Sequence, residues 1–510
     1  MITNILAYLE QTAREAPHNT AFADKDTSLS FTELQNLSKR AGSFLLRFNL
    51  KNAAIAVMVE KTPLSIAAFL GCAYSGNLYA PIDAAMPKER AQSILQTLAP
   101  SVLITDEKSA KTAEALGFPG TTVLLADMLT ADIDEPALAL IRARSIDTDP
   151  LYVIFTSGST GVPKGVVITH QAVVNLTEWY TTALRIDRDE VIGNQAPFYF
   201  DSSVKDIYAV LKTGARMEIV PTALFSFPIR LMEYVRDKAI TYIDWVPSAL
   251  TIIANTGALE ACTLPALRKL AFVGEIMPTK QFNQWRRTYP NLLYANIYGP
   301  TEATVDSVYY IIDREFADDE LLPIGRACEN TDVFLLANGK EAAPGEVGEL
   351  CIRGRCLAPG YYNNPEKTAE AFIQNPLNPH YPERIYKTGD MARLNEHGEI
   401  VFLARQDSQI KHMGHRIELG EIEAAVNSIE GLDAGACLYD ADTQRIVLFY
   451  CGADITPAFI LKRLRDKVPK YMFPNLMLPL EAMPRTPNGK TDKRKLKSFL
   501  ETYYAERNEN

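Results

Sequence analysis

The sequence predicts an α/β protein of at least two domains, from its length and from the order of its apolar segments. The chain has 510 residues, which is more than one hydrophobic core usually serves. Apolar runs of strand length precede stretches of helical periodicity: 53–59 precedes 64–74, and 101–105 precedes 107–116. Because strands that alternate with helices form βαβ units, we expect parallel sheets covered by helices.

The pattern of apolar and turn-forming residues changes between about residues 323 and 403. Strand-like runs at 332–336 and 349–353 are separated by the turn-forming pairs Asn338-Gly339 and Pro344-Gly345. Such punctuation is typical of antiparallel strands joined by tight turns. We therefore predict an all-β subdomain over this segment.

After Gln406 the pattern returns to mixed α and β, which predicts a small separate lobe. Helices are expected at 418–429 and 457–467, and a strand at 445–450. We place the domain boundary near Asp407, so that residues 1–406 form an N-terminal core and residues 407–510 a C-terminal lobe. The polar tail, 501–510, is expected to fray.

Composition limits the partners of the chain. Hydrophobic residues make up 47% and charged residues 22%, which is typical of a globular protein. A net charge of −10 argues against a general nucleic-acid binder, because no basic excess exists to neutralise phosphates. No signal peptide is evident, and no apolar run approaches the roughly 20 residues of a membrane span. We expect a cytoplasmic protein without a membrane or nucleic-acid partner.

The seven cysteines form no C-x-x-C pair. Neither a zinc site nor a disulfide framework is therefore indicated. We expect reduced and mostly buried thiols.

A glycine-rich loop follows the apolar strand 151–155. Its sequence, 156–165, is Thr-Ser-Gly-Ser-Thr-Gly-Val-Pro-Lys-Gly. Glycines let the backbone turn its N–H groups toward an anion, while four hydroxyls and Lys164 add donors. The lysine precedes the last glycine and no Ser or Thr follows it, so this is not the common G-x-x-x-x-G-K-[ST] loop. The segment predicts a polyphosphate site.

Together with this loop, ordered motifs along nearly the whole chain resemble those of the adenylate-forming superfamily. That superfamily includes acyl-CoA synthetases, luciferases and the adenylation domains of nonribosomal peptide synthetases. The matching segments are 29–34, 79–83, 296–302, 348–354, 386–390, 416–423 and 486–490. In this order they identify the chain as a member of the superfamily.

The resemblance implies a fold and a reaction. The fold is a large N-terminal domain of two α/β subdomains plus a distorted β-barrel, followed by a small mobile α+β C-terminal domain. The reaction uses ATP and Mg²⁺: a substrate carboxylate attacks the α-phosphate and pyrophosphate leaves. Two anions must meet, so the site has to supply positive charge. Asp407 resembles the hinge of the mobile domain, and Ala404 stands where the family usually has glycine.

The resemblance also assigns a nucleotide site. Tyr298 would stack on adenine, Asn296 would bond to its edge, and Asp390 would accept from the ribose hydroxyls. Glu302 would hold Mg²⁺, as a hard oxygen ligand can, the alternative being an exposed loop carboxylate. Lys490 would bridge the substrate carboxylate and the phosphate oxygens. The positions implied to bind ATP are Thr156, Ser157, Gly158, Ser159, Thr160, Gly161, Lys164, Gly274, Asn296, Tyr298, Gly299, Thr301, Asp390, Phe402 and Arg405. The catalytic positions implied are Lys490, Glu302 and Thr156.

Segment 200–204 resembles the motif of amino-acid-activating members. Asp201 stands where the family's aspartate binds the α-ammonium group. An aspartate there also suits the N-cap of a helix that begins near Val204. The substrate pocket carried over from the family consists of Asp201, Ser202, Lys205, Asp244, Ala271, Val273, Ile297, Val305, Asp306 and Lys490.

Two arguments about the substrate side chain disagree. Charge in an enclosed pocket is costly unless it is paired, so Lys205, Asp244 and Asp306 argue against an apolar substrate. One lysine against two aspartates suits a cationic side chain such as lysine or ornithine. The resemblance instead points to glutamate-activating pockets, with Lys205 against the γ-carboxylate, and glutamine pockets carry glutamine at that position. We take L-glutamate as the expected substrate and keep glutamine and basic amino acids as alternatives.

The final acceptor is expected to be a thiol on another protein. Few residues follow Lys490, so the sequence predicts a free-standing enzyme. Its partner would be a separate carrier protein that bears a phosphopantetheine arm. Coenzyme A or an amine is an alternative acceptor, and a non-catalytic nucleotide-binding relative is the alternative of another class.

Overall fold

This computed structural model describes residues 2–508 except 159–161, 407, 442, 454 and 486–490. The chain divides into two compact units. The first comprises Met1–Ala84, Leu95–Phe155 and Gly165–Gln406, and the second Ala85–Ile94, Thr156–Lys164 and Asp407–Asn510. Among the described residues, no helix combines the length and apolar character needed to cross a membrane.

A nine-stranded sheet runs through the first unit. Its strands, in spatial order, are Arg326–Ala327, Val308–Ile311, Leu293–Tyr298, Lys269–Val273, Tyr242–Trp245, Val191–Asn194, Arg216–Ile219, Thr20–Ala23 and Ser28–Ser30. The six strands from Leu293–Tyr298 to Thr20–Ala23 run parallel, and the outer ones are antiparallel. The carboxyl ends of adjacent parallel strands lie at one edge, where α/β proteins place their ligands.

A seven-stranded sheet forms the second α/β layer. Its strands, in spatial order, are Gly360–Tyr361, Lys164–Thr169, Pro150–Thr156, Leu78–Pro81, Ala54–Met58, Val102–Thr105 and Thr121–Leu124. The predicted strands at 53–59 and 101–105 are confirmed as the buried strands Ala54–Met58 and Val102–Thr105. The helix expected at 107–116 is shorter, Ala110–Ala115.

The β-rich segment forms a six-stranded antiparallel sheet. Its strands are Lys340–Glu341, Thr331–Ala337, Gly348–Gly354, Arg384–Leu394, Phe372–Gln374 and Ile400–Arg405. The expectation that 323–403 is all β is wrong in one respect, because it contains the helix Pro365–Ala371. Asn364 caps that helix and Pro365 opens it, both common signals of a helix start.

The segment from residue 408 onward has its own strands and core. A two-stranded ribbon pairs Gln409–His412 with His415–Glu418, and a three-stranded sheet contains Ala434–Asp440, Arg445–Cys451 and Leu476–Pro479. The expectation of a frayed tail is wrong, because Lys493–Asn508 is a helix. Within the segment expected to fray, Tyr503 and Tyr504 pack against a buried cluster that contains Phe449, Leu496 and Leu500.

Helices cover the sheets of both units. The helices of the part of the chain described are Leu6–Glu15, Phe31–Leu45, Pro63–Tyr74, Lys88–Leu98, Ala110–Ala115, Leu125–Leu129, Glu135–Arg144, His170–Ala183, Ser202–Thr213, Pro228–Asp237, Pro247–Asn255, Ala258–Ala261, Thr279–Thr288, Pro365–Ala371, Leu419–Asn427, Pro457–Leu464 and Lys493–Asn508. Short 3₁₀ turns occupy Leu46–Phe48, Thr222–Ser226, Thr301–Ala303 and Lys470–Met472. All seven cysteines are free and buried, which confirms the expectation of unpaired thiols.

Candidate functional site

The candidate amino-acid pocket is centred on a buried lysine. Lys205 lies in the first turn of the helix Ser202–Thr213 and is 1% exposed. Its Nζ is 2.8 Å from Asp244 Oδ2 and 3.2 Å from Asp306 Oδ2. Burial alone would lower the pKa of Lys205, but the charges of Asp244 and Asp306 raise it above its ordinary value. A buried ammonium is tolerated only with such partners.

Asp244 collects three donors on one oxygen atom. Besides Lys205, the hydroxyls of Tyr180 and Tyr242 lie 3.0 Å and 3.3 Å from its Oδ2. The two phenol oxygens are 2.7 Å apart. Sequence reasoning missed both tyrosines. Tyr242 could have been found, because it precedes Asp244 by two residues in one strand and so shares its face; Tyr180 gave no comparable signal.

A constrained loop carries Asp306. Thr304 and Val305 have φ values of +56° and +69°, which are rare for β-branched residues. The Thr304 hydroxyl donates to the Cys356 carbonyl at 2.6 Å, and the Asp306 N–H donates to the Thr304 carbonyl at 2.8 Å. At Gly299 a Cβ atom would lie 2.4 Å from the Asp306 Cα, so only glycine permits this approach. Strain held by surrounding bonds is characteristic of functional loops.

These five residues form what we call the Lys205 cluster: Lys205, Asp244, Asp306, Tyr180 and Tyr242. It holds more acceptors than donors. Asp244 Oδ1 and Asp306 Oδ1 are buried and accept no hydrogen bond from the described part of the chain. Burial raises the pKa of Asp306 to about 6, against the lowering effect of Lys205. These two oxygens can therefore accept a hydrogen bond from a ligand or take up a proton.

A second buried polar group adjoins this cluster. Asp206 accepts a hydrogen bond from Asn194 Nδ2 at 2.7 Å. Burial, followed by the charge of Asp244, raises the pKa of Asp206 to about 7. Lys61 donates to the Gln195 carbonyl at 3.1 Å, and burial lowers its pKa to about 7. Nothing in the sequence singled out these side chains.

Three of the four apolar pocket positions lie on neighbouring parallel strands. In register, Asp244 pairs with Ala271 and Val273 pairs with Ile297. Ala271, Val273, Ile297 and Val305 are all buried. The structure thus places Ala271, Val273 and Ile297 side by side along one sheet, whereas Val305 lies in the loop that carries Asp306.

Asp201 occupies the N-cap position of the helix, but its side chain makes no capping hydrogen bond. The helix begins at the partly exposed Ser202, two residues earlier than expected. A capping role for the Asp201 side chain is therefore wrong. Its proposed role in substrate binding stays a prediction.

Tyr298, Asp390 and Arg405 form a second polar arrangement in the same unit, which we call the Asp390 group. The Tyr298 hydroxyl donates to Asp390 Oδ2. Arg405 donates from Nη1 to Asp390 Oδ1 at 2.5 Å and from Nη2 to the Thr388 carbonyl at 3.0 Å. Asp390 and Arg405 are direct partners across two antiparallel strands. The ring of Phe402 lies 6.4 Å from that of Tyr298 between centroids, so the structure brings four predicted nucleotide positions together.

Three further predicted nucleotide positions lie within or after the parallel strands of the nine-stranded sheet. Asn296, in the strand Leu293–Tyr298, is buried and donates from Nδ2 to the Pro323 carbonyl at 2.8 Å. Gly274 follows the strand Lys269–Val273 with φ +99°. Thr301 is buried in the 3₁₀ turn that it begins.

Glu302 is fully buried. The Tyr361 hydroxyl donates to its Oε1 at 2.8 Å, and the Glu302 carbonyl accepts from the Ala358 N–H at 2.9 Å. The alternative of an exposed loop carboxylate is therefore wrong. Sequence reasoning missed Tyr361, because 59 residues separate it from Glu302. Within the described residues, no group of three or more His, Cys, Asp or Glu side chains is placed to hold a metal ion.

The described part of the phosphate loop belongs to the second unit. Thr156 ends the strand Pro150–Thr156, and its buried Oγ1 has no hydrogen-bond partner among the residues described. The Ser157 hydroxyl donates to the Arg416 carbonyl at 2.8 Å. A Cβ atom on Gly158 would lie 2.0 Å from the carbonyl oxygen of Val162, which explains why glycine is needed there.

Lys164 begins the strand that follows the loop. Five predicted positions lie outside the described residues: Ser159, Thr160, Gly161, Asp407 and Lys490. Their proposed roles stay predictions.

Comparison with known proteins finds relatives that match nearly the whole chain. Zwittermicin A synthase ZmaJ from Bacillus cereus is 32% identical over 511 residues, covering 97% of this chain and 95% of that protein. Tyrocidine synthase 1 from Brevibacillus parabrevis is 31% identical over 493 residues, covering 96% of this chain. The chain spans only 44% of the length of that synthase.

A solved nonribosomal peptide synthetase protein containing adenylation and PCP domains has the same fold. Its TM-score is 0.83 at 24% identity, over 97% of this chain and 84% of that one. A family model described as AMP-binding enzyme matches residues 9–362, well over half of the chain. The chain belongs to the AMP-binding enzymes, the family of adenylate-forming proteins that its motifs resemble.

Proposed function

We propose that the chain activates an amino acid, L-glutamate in the first place, as an aminoacyl-adenylate and then passes it to a thiol. The observation that carries this proposal is a fully buried lysine, Lys205, held between Asp244 and Asp306 in the pocket of an AMP-binding enzyme. Burying an ion cluster of this kind is costly unless a charged or polar ligand uses it.

In the first step an oxygen of the substrate α-carboxylate bonds to the α-phosphorus of ATP, and the bond to pyrophosphate breaks. Lys490 would neutralise charge on the carboxylate and phosphate oxygens as they meet. Main-chain N–H groups and hydroxyls of the glycine-rich loop would hold the leaving pyrophosphate. Asp407 would act as the hinge that exchanges this step for thiol transfer.

The residues of the Asp390 group suit a nucleoside. Asp390 is a buried carboxylate oriented by Tyr298 and Arg405, and ribose hydroxyls are the donors such an acceptor takes. Burial and Asp390 raise the pKa of Tyr298, so its hydroxyl stays protonated. Its uncharged ring would then stack on adenine. Asn296 spends its Nδ2 on Pro323, so its Oδ1 would accept from the adenine amino group.

Glu302 fits a Mg²⁺ ion that shares its ligands with the phosphates. Mg²⁺ commonly takes one or two protein carboxylates and completes its shell with phosphate and water oxygens. A single buried carboxylate, steered by the Tyr361 hydroxyl, matches that donor set. When bound, the ion would neutralise phosphate charge; Glu302 and Tyr361 would fix where it sits.

The Lys205 cluster supports glutamate. Lys205 has three N–H donors, of which Asp244 and Asp306 take two. The third would donate to the γ-carboxylate, while Asp201 would bind the α-ammonium group.

A second candidate is a side chain that brings donors. Asp244 Oδ1 and Asp306 Oδ1 accept nothing from the described residues, which favours the amide of glutamine or the ammonium of lysine or ornithine. An unfilled buried acceptor costs about 1–3 kcal/mol, so these amino acids are tested beside glutamate.

The acceptor is proposed to be the phosphopantetheine thiol of a separate carrier protein. A solved protein of the same fold contains adenylation and PCP domains, which supports a carrier-bound thiol as the acceptor. Coenzyme A or an amine remains the alternative acceptor.

Amino-acid-dependent exchange of labelled pyrophosphate into ATP tests the activation step. With Mg²⁺ and each of twenty amino acids, we expect the largest kcat/KM with glutamate. Absence of exchange with every amino acid would contradict the proposal, and exchange only with lysine or ornithine would replace the substrate. Covalent loading of a purified carrier protein, measured beside coenzyme A, tests the acceptor.

A further inference from the structure

The Lys205 cluster lacks donors at the place where glutamate would need them. Asp244 Oδ1 and Asp306 Oδ1 are both buried without a partner in the described part of the chain. A γ-carboxylate bound to the third N–H of Lys205 would lie beside these oxygens. Glutamate thus adds a third anion around one ammonium, whereas glutamine adds an amide whose N–H₂ can donate.

The carboxyl groups of Asp244 and Asp306 outnumber the single ammonium of Lys205 before any ligand binds. A further carboxylate within a few ångströms is strongly disfavoured in a buried site. One proton removes the conflict, because a protonated carboxyl donates a hydrogen bond where an ionised one repels.

We propose that glutamate binds together with one proton from solvent, carried on Asp306 and donated to the substrate γ-carboxylate, whereas glutamine binds with Asp306 ionised. The inference rests on the proposed function and deepens it, since it names the protonation state that selects each substrate. Asp306 is then a specificity-determining residue that reads the charge of the substrate.

Asp306 is the proton carrier because of what it contacts. Asp244 Oδ2 lies within hydrogen-bond distance of the Lys205 ammonium and of the Tyr180 and Tyr242 hydroxyls, so donors already surround that oxygen. Among the described residues, Asp306 has one such side-chain donor, Lys205. Burial accordingly raises the pKa of Asp306 to about 6, within reach of neutral pH.

Several charged or titratable groups act on Asp306. Those around it are Lys205 on the helix Ser202–Thr213, Asp201 at its N-cap, Asp244 and Tyr242 on the strand Tyr242–Trp245, and Cys328 directly after the strand Arg326–Ala327. Lys205 favours the ionised form, whereas Asp244 and Asp201 favour the protonated form. An added substrate carboxylate acts in the same direction as those two aspartates.

The test is the ratio of kcat/KM for glutamate to that for glutamine, measured by pyrophosphate exchange from pH 6 to 9. Titrations common to both substrates, including those of ATP, cancel in this ratio. Since kcat/KM reports groups of the free enzyme, the ratio is expected to fall by about tenfold per pH unit above the Asp306 pKa. A ratio that stays constant while glutamate is activated overturns the proton inference alone. Absence of glutamate activation at every pH overturns the proposed function instead.

Two variants locate the proton. Asp306→Asn cannot ionise, so its ratio is expected to be independent of pH. Asp206→Asn removes a neighbouring buried carboxylate that is held by Asn194, and its ratio is expected to keep the wild-type slope. Loss of the slope in Asp206→Asn, with the slope kept in Asp306→Asn, would overturn the assignment to Asp306.

Calorimetry on the wild-type protein gives a readout that needs no variant. The sulfamoyl analogues of glutamyl- and glutaminyl-adenylate are titrated at pH 7.5 in two buffers of different ionisation enthalpy. We expect about one more proton to be taken up with the glutamyl analogue. Equal uptake with both analogues overturns the inference.

Discussion

In the Asp390 group each charge meets its opposite, whereas the Lys205 cluster holds more negative charge than its ammonium balances. Both oxygens of Asp390 are occupied, one by Arg405 and one by Tyr298. In the Lys205 cluster, Asp244 and Asp306 each leave one buried oxygen without a partner among the described residues.

The difference corresponds to what each site is proposed to recognise. A nucleotide is the same in every turnover, so a satisfied, rigid arrangement suits it. A pocket that separates one amino acid from others gains discrimination when a wrong side chain leaves buried polar atoms unpaired. The excess of carboxyl acceptors in the Lys205 cluster is therefore the feature that we propose selects the substrate side chain.

The largest expected effect comes from Lys205→Gln, which removes the only ammonium of the Lys205 cluster. Two buried carboxylates would lose their counterion, and breaking such a pair costs about 3–5 kcal/mol. We expect that loss in the free energy of unfolding by denaturant titration. Activity should shift from glutamate toward glutamine.

The matched control is Lys212→Gln. Lys212 lies on the same helix and pairs with Glu178 at 2.8 Å, but this pair is partly exposed. Such surface pairs contribute about 0–1 kcal/mol. Equal losses in the two variants, with an unchanged substrate ratio, would contradict the account of the pocket.

Asp390→Asn tests the balanced group. The amide keeps the shape of the side chain but loses the charge that Arg405 and Tyr298 satisfy. Charge-assisted hydrogen bonds are about twice as strong as neutral ones, so we expect kcat/KM for ATP to fall by about 10- to 100-fold. The glutamate-to-glutamine ratio should not change. Asp332→Asn is the control, since Asp332 pairs with Arg353 on the exposed face of the same sheet.

Asp306→Asn is expected to raise the free energy of unfolding above neutral pH, whereas Lys205→Gln is expected to lower it. Burial raises the pKa of Asp306 to about 6 from about 4 in the unfolded chain, so the folded protein binds more protons between those values. Stability of the wild type therefore falls as pH rises through that window. Asn has no such penalty, and we expect Asp306→Asn to be about 1–2 kcal/mol more stable at pH 8. At pH 4 the gain should vanish. An equal loss at both pH values would show that the ion pair with Lys205 dominates.

The sequence predicts which residues belong to the site better than it predicts which residues contact one another. Glycine patterns, the buried strands and charged positions such as Lys205 follow from local composition and from family motifs. The partners of those charges do not, because they depend on register between segments far apart in the chain. Asp244 meets Lys205 only after a strand and a helix have packed, and the Tyr361–Glu302 contact joins a strand to a 3₁₀ turn 59 residues away.

Two misses have simple physical causes. A frayed tail is expected over 501–510 because polar residues outnumber apolar ones there, yet Tyr503 and Tyr504 continue the packing face that Leu496 and Leu500 begin. The helix at 365–371 was overlooked because strand signals dominate the surrounding segment. A search for capping residues would have found it, since Asn364 stands directly before Pro365.

Tyr361→Phe is expected to have the smallest effect. It tests how Glu302 is positioned for a metal ion without changing the Lys205 cluster or the Asp390 group. It removes the hydroxyl that donates to Glu302 Oε1 and keeps the aromatic ring in the core. Residues that orient a metal ligand typically change metal affinity by about 10- to 100-fold. We expect the lower end, a rise of about tenfold in the Mg²⁺ concentration for half-maximal pyrophosphate exchange. The neighbouring half-buried Tyr362→Phe is the control. An unchanged Mg²⁺ requirement, or the same shift in the control, would remove Tyr361 from the metal site and leave its bond to Glu302 a purely structural one.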